Sequence, residues 1–177
     1  MDLLTEPSTI APAVLPGADP LPGELADLVA GIAADPGRWR PLVQPDRPGG
    51  WWVPLPRTAG VEVALVGWAP GQATTAHDHG GAAGAWAVLE GELVEDHFHD
   101  LSWSARPRRT RVGPGRTVES GPDHVHVVAN PGPGWALTIQ AHTPHRRAAR
   151  LPLVGAASIL AEAAPWRLPR PIRAPGV

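Results

Sequence analysis

Two pairs of histidines at alternate positions, His77/His79 and His124/His126, set the tightest limit on how this chain can fold. On an extended strand, residues two apart project to one face. Each pair is therefore predicted to aim both imidazoles the same way. The first pair opens QATTAHDHGGAAGAWAVLEGELVE, Gln72 to Glu95. There Gly80, Gly81 and Gly84 lead into a small apolar run, and Glu90-Gly91-Glu92 reads as a hairpin turn. The second pair lies about 50 residues further on in GPDHVHVVANPG, Gly121 to Gly132, and Asn130-Pro131-Gly132 ends that strand. Two histidines on one strand and a third on a distant strand can converge inside a small barrel and hold a metal. Imidazole suits zinc, copper, iron and nickel.

The rest of the chain is consistent with such a barrel. Its 177 residues make one domain with a sizeable core, divided into an extended arm and helix over 1–48, a barrel over 49–150 and a tail over 151–177. Apolar spacing at Leu25, Leu28, Val29 and Ile32 predicts a helix over Pro22 to Ala34, stopped by Asp35-Pro36-Gly37. Strands are predicted over 61–68, 72–79, 85–89, 92–103, 117–120, 124–129 and 135–142, with Gly/Pro turns between them. Arg106 to Arg111 reads as a solvated basic loop or strand start, and the HFHD histidines, His97 and His99, as surface residues. Residues 1–20 and the proline-rich end carry little pattern, apart from an apolar stretch over 153–164. A net charge of −2 implies no polyanion or nucleic-acid partner, and the absence of cysteine excludes disulfides and thiolate ligands. No apolar run approaches the roughly 20 residues that span a bilayer, and no signal peptide is legible. The cytoplasm is the expected location, and the chain is expected as a monomer or homodimer.

HxH, a glycine-bearing hairpin and then HxxxN resemble the two cupin motifs. HDHGGAAGAWAVLEGELVE followed by HVVAN is similar to one branch, the cysteine dioxygenase family of thiol dioxygenases, over roughly residues 60 to 145. The resemblance implies an all-β cupin jelly-roll, a double-stranded β-helix barrel, with a short N-terminal helix. It also implies a mononuclear Fe(II) held by His77, His79 and His126, since the family's third ligand stands four residues before an asparagine, here Asn130. His124 is then at the pocket rim or behind a ligand. Many cupins add a glutamate ligand four or five residues after the second histidine. Those positions are Ala83 and Gly84 here, so the glutamate is missing, as in thiol dioxygenases. The cysteine of the cysteine–tyrosine crosslink found in some members matches Gly84.

Three neutral histidines leave a divalent metal its full charge, unlike two-histidine-one-carboxylate sites. That favours an anionic substrate ligand such as a thiolate. The resemblance implies transfer of both atoms of O2 to that sulfur, giving a sulfinate. A zinc ion in the same place would instead activate water.

Three departures from the family bear on substrate. An arginine on the strand before the first motif usually holds the carboxylate of cysteine. Here that stretch is GGWWVPLP, flanked by Arg47 and Arg57, with Arg57 the candidate. Trp51 and Trp52 are expected to make that wall apolar, with Trp68 and Trp86 further candidates for the substrate pocket. The family's serine–histidine–tyrosine set falls on Thr138, Gln140 and His142, predicted on one polar face of the last strand and assigned as the catalytic set. The expected substrate is a small thiol other than free cysteine. The rival readings are a cupin oxygenase or metal-dependent isomerase or hydrolase on a non-thiol natural-product intermediate, and a metal-free binding barrel. Asp78, between the first two histidines, is expected to point away from the metal and brace the loop.

Overall fold

The computed structural model describes residues 21–47, 49–56, 60–99 and 106–144. Eight strands form two antiparallel sheets. They are β1 (Trp51–Pro54), β2 (Glu62–Trp68), β3 (Gly84–Glu90), β4 (Leu93–Phe98), β5 (Arg108–Val112), β6 (Thr117–Ser120), β7 (Val125–Ala129) and β8 (Ala136–His142). One sheet runs β1-β2-β8-β3-β6 and the other β5-β4-β7.

The helix expected at the N-terminus is α1 (Pro22–Ala33). Pro22 at its first turn has no N–H to lose there. The Glu24 carboxylate accepts from the Leu21 backbone N–H at 2.7 Å, satisfying a donor the helix leaves open. A second short helix, α2 (Pro36–Trp39), follows at once. Leu25, Val29 and Ile32 recur at helical spacing and are buried.

They pack on the outer face of the five-stranded sheet with Val63, Leu65, Ala85, Ala87, Leu137 and Ile139. The opposite face of the same strands looks between the sheets. There Val66, Trp68, Trp86, Val88 and Ala136 meet Leu93, Val112 and Val128. β2, β3 and β8 are thus buried on both faces, which is why their apolar alternation is weak in the sequence.

Trp51 and Trp52 are neighbours on β1 and so take opposite faces. Trp51 joins the helix-side core at 1% exposure. It lies flat over Gly67, where an added Cβ would stand 2.2 Å from the ring. The expected tryptophan pair along the pocket is therefore a single residue, Trp52.

The strand expected over 72–79 is not regular. Residues 72–79 run beside β7 with only isolated bridges, Ala73 to Ala129 and His77 to His126. The Arg106 to Arg111 segment contributes β5, whose Arg108, Arg109 and Arg111 are exposed. The arm over 1–20, Arg57 and the stretch over 153–164 lie outside the described residues.

Replacing Leu25 with alanine removes a fully covered side chain from the helix–sheet seam. A loss of about 2–5 kcal/mol is expected, read by urea unfolding, with the metal-binding stoichiometry of the folded fraction unchanged.

Candidate metal centre

The backbone brings the two histidine motifs together. His77 N–H donates to His126 O at 3.1 Å and His126 N–H donates to His77 O at 3.0 Å. This reciprocal pair puts both side chains on one side of the ribbon. His79 follows two residues later, and Gly80 and Gly81, at φ of 61° and 82°, then turn the chain away. Asp78 is buried, and its Oδ1 accepts from Gly80 N–H at 3.0 Å. It braces that turn.

The potential ligand atoms of His77, His79 and His126 lie within 4.8 Å of one another. Each ring is held by its Nδ1. His77 Nδ1 lies 2.8 Å from Thr75 O, His126 Nδ1 lies 2.7 Å from Glu95 Oε1, and His79 Nδ1 lies 3.4 Å from Ser120 Oγ. The Thr75 carbonyl and an ionised Glu95 can only accept, so His77 and His126 carry their proton on Nδ1. Their Nε2 atoms then present bare lone pairs. His126 Nε2 stands 3.2 Å from His79 Nε2. Two donors of one tetrahedral ion, with bonds near 2.0 Å, stand about 3.3 Å apart. Donor type, tautomer and spacing all fit a divalent transition metal.

Glu95 is the residue that sequence reasoning missed. It sits on β4, 5% exposed, and its Oε1 receives both His126 Nδ1 at 2.7 Å and His124 Nε2 at 3.0 Å. Burial alone would raise its pKa, but the hydrogen bonds from His124 and His126 outweigh that and hold it down at about 2. The only signal in the sequence was an acidic pair, Glu95-Asp96, following the apolar Leu93-Val94 of β4. Glu95, His124 and His126 also form a possible ligand group. The 2.7 Å and 3.0 Å separations are hydrogen-bond lengths, tighter than the about 3.3 Å between ligands of one tetrahedral ion. Glu95 is therefore read as a support for His126, orienting the ring and enriching its Nε2.

His124, expected at the pocket rim or behind a ligand, faces Glu95 and stacks on His97, with ring centroids 4.1 Å apart and planes at 11°. His97, expected on the surface, is half-buried by that stack, while His99 is exposed.

A small cavity of about 60 Å³ opens at the three histidines, lined also by Trp68, Thr74, Trp86, Val128, Gln140 and His142. A larger one of about 180 Å³ shares Gln140 and His142 with it and continues past Trp52, Pro54, Leu55, Glu62, Val63 and Ala64. Trp68, Trp86, Gln140 and His142 thus stand where a pocket was expected. Thr138 does not reach the cavity. It is fully buried and receives Trp68 Nε1 at 3.1 Å and Gln140 Nε2 at 3.2 Å, so it fixes the residues that do.

His142 packs against His79, with ring centroids 4.6 Å apart. The room for it is Gly84, where an added Cβ would come within 2.5 Å of the His142 ring. Gly84 and His142, the positions that the resemblance pairs with the family's cysteine and tyrosine, therefore share one space.

The sequence of residues 22–142 matches the family described as cysteine dioxygenase type I. The chain belongs to that family. None of the curated proteins compared with it matches. Among solved structures it is similar to an oxalate oxidase in complex with the substrate analogue glycolate, at 19% identity and a TM-score of 0.50, over 68% of this chain and 69% of that one. A double-stranded β-helix protein from Klebsiella pneumoniae aligns at 20% identity and a TM-score of 0.51, over 63% of this chain and 86% of that one. A protein from Thermus thermophilus aligns at 22% identity and a TM-score of 0.50, over 59% of this chain and 92% of that one. These likenesses bear on fold alone, and the fold is the cupin jelly-roll that the motifs imply. Among the described residues no helix is long and apolar enough to cross a membrane.

Burial lowers the pKa of His77, His79 and His126, the last to about 4. In the unfolded chain each titrates near 6.5, so between about pH 6.5 and 4 the unfolded state binds more protons. Stability of the metal-free protein should therefore fall as pH drops through that window, by on the order of 3 kcal/mol from His126 alone. Urea unfolding at a series of pH values reads it, and a flat profile would contradict the burial of neutral rings. Glu95→Gln should weaken Zn(II) or Co(II) binding by about 10- to 100-fold in competition with a chelator.

Proposed function

We propose that this chain is a mononuclear non-haem Fe(II) dioxygenase that oxidises a small thiol other than free cysteine. The carrying observation is the set of three imidazoles, each held by Nδ1 and presenting Nε2 to a common point. Membership of the cysteine dioxygenase type I family supports the reaction class.

His77, His79 and His126 would hold the iron. Bound there, Fe(II) would supply a binding position for a thiolate and activation of dioxygen beside it. The balance is RSH + O2 → RSO2H: the sulfur loses four electrons, and both oxygen atoms end on it. The chain's own part is positioning. Trp68, Trp86 and Val128 keep bulk water from the reacting atoms. Gln140, tethered to Thr138, offers an amide but cannot act as a base. His142 reaches both cavities and can donate to or accept from a ligand.

Substrate choice is read from the larger cavity. Trp52, Pro54, Leu55, Val63 and Ala64 make much of its wall apolar. Among the described residues its charged side chain is Glu62, an acid, and no arginine lines it. Among those residues a free carboxylate would meet apolar side chains and an acid rather than an arginine, which argues against cysteine. The reading supports a thiol with a neutral or apolar tail.

The test is oxygen uptake by the Fe(II)-loaded protein with cysteine, 3-mercaptopropionate, cysteamine and larger uncharged thiols, with the products identified by mass. Turnover of an uncharged thiol to its sulfinate, with cysteine slow, is expected. Rapid turnover of cysteine would overturn the substrate assignment. Zinc-dependent turnover without oxygen uptake would overturn the reaction.

A further inference from the structure

We propose that Trp86 is a ligand-contacting residue of this site, its indole N–H donating a hydrogen bond to the acceptor atom of a small anion held in the cavity. The proposal rests on the reading of the three histidines as metal ligands.

The indole nitrogen is a donor only. Trp86 is 3% exposed, and its Nε1 has no hydrogen-bond partner. A buried donor left unpaired costs as much as a lost hydrogen bond, so native structures rarely leave one without a reason. One other side-chain nitrogen shares that condition among the described residues, Trp51 Nε1. Trp51 lies over Gly67 in the helix-side core, where close packing on a glycine fixes its ring. Trp86 differs because it lines the cavity at the three histidines. β3 alternation turns it inward, while Ala85 and Ala87 face the helix.

The other tryptophan of that cavity is the control within the molecule. Trp68 Nε1 is paired, donating to Thr138 Oγ1 at 3.1 Å. Trp86 stands in register with Gln140 on β8, yet that amide is turned to Thr138 through Nε2. The protein thus satisfies one indole of the cavity and gives the other no partner of its own. The space is about 60 Å³, enough for a few water-sized groups. It takes a group of two or three heavy atoms. Beside a divalent cation, an acceptor of that size is favoured further when it carries negative charge.

Azide is such a probe. Its binding to the Co(II)-loaded protein is followed by visible absorbance in the wild type, in Trp86→Phe, and in protein carrying 3-benzothienylalanine at position 86. The last analogue keeps the shape of the ring and replaces only the N–H with sulfur. Both substitutions should leave Co(II) affinity unchanged and weaken azide binding by about 10- to 100-fold, the loss of one hydrogen bond to a charged acceptor. If Trp86→Phe fails to fold, the benzothienyl protein decides alone. Azide affinity equal to wild type in that protein overturns the proposal and leaves the metal reading intact. A fall in Co(II) affinity that matches the fall for azide also overturns it, since the ring is then only packing. A wild-type protein that takes up no Co(II) overturns the metal reading, and the role of Trp86 with it.

Discussion

Two backbone hydrogen bonds between His77 and His126 join the halves of this molecule that matter most. One residue belongs to the irregular segment before β3, the other to β7 in the three-stranded sheet. Without that pair, the segment would be tied to β7 only through Gly71 to Thr74, short of the histidines themselves. With it, the imidazoles share a side, and each ring needs only one further hydrogen bond to fix its plane. Thr75 O, Ser120 Oγ and Glu95 Oε1 sit opposite the three Nδ1 atoms. The site is therefore organised before any ion arrives, and little of the binding energy is lost to ordering the ligands.

Glu95 changes the electrostatic picture drawn from three neutral ligands. The centre has no carboxylate in contact, yet a buried one stands behind His126. Its charge would reach a metal bound there through an imidazole, strengthening that ligand without occupying a coordination position. The coordination positions that three imidazoles leave would stay open to other ligands. His124 shares the same oxygen and is held in turn by its stack on His97. A buried anion that accepts from two rings costs far less than a bare one.

The departures from the family pattern form one consistent change of shape. With glycine at position 84, the His142 ring fits where a β-carbon would collide with it. Gly84 and His142, which the resemblance sets at the family's cysteine and tyrosine positions, place a second imidazole beside His79. On the adjoining wall, Trp52 and its apolar neighbours continue the space outward from Gln140 and His142. Both changes act on the cavities rather than on the metal ligands.

The sequence by itself determined the helix over 22–33, the strands with clean boundaries, and the three histidines that converge. Those features rest on local periodicity and on a motif whose spacing reflects strand geometry. The tertiary structure decided what depends on partners far apart in the chain. Adjacent Trp51 and Trp52 split between two cores because β1 has a packed face on each side. Thr138 serves as a bracket because Trp68, 70 residues away, reaches it. Glu95 became part of the site because β4 pairs with β7, bringing its carboxylate beside His124 and His126. An acidic letter carries no record of that pairing. Side-chain periodicity is written in one strand, whereas hydrogen-bond partners are chosen by the register between two.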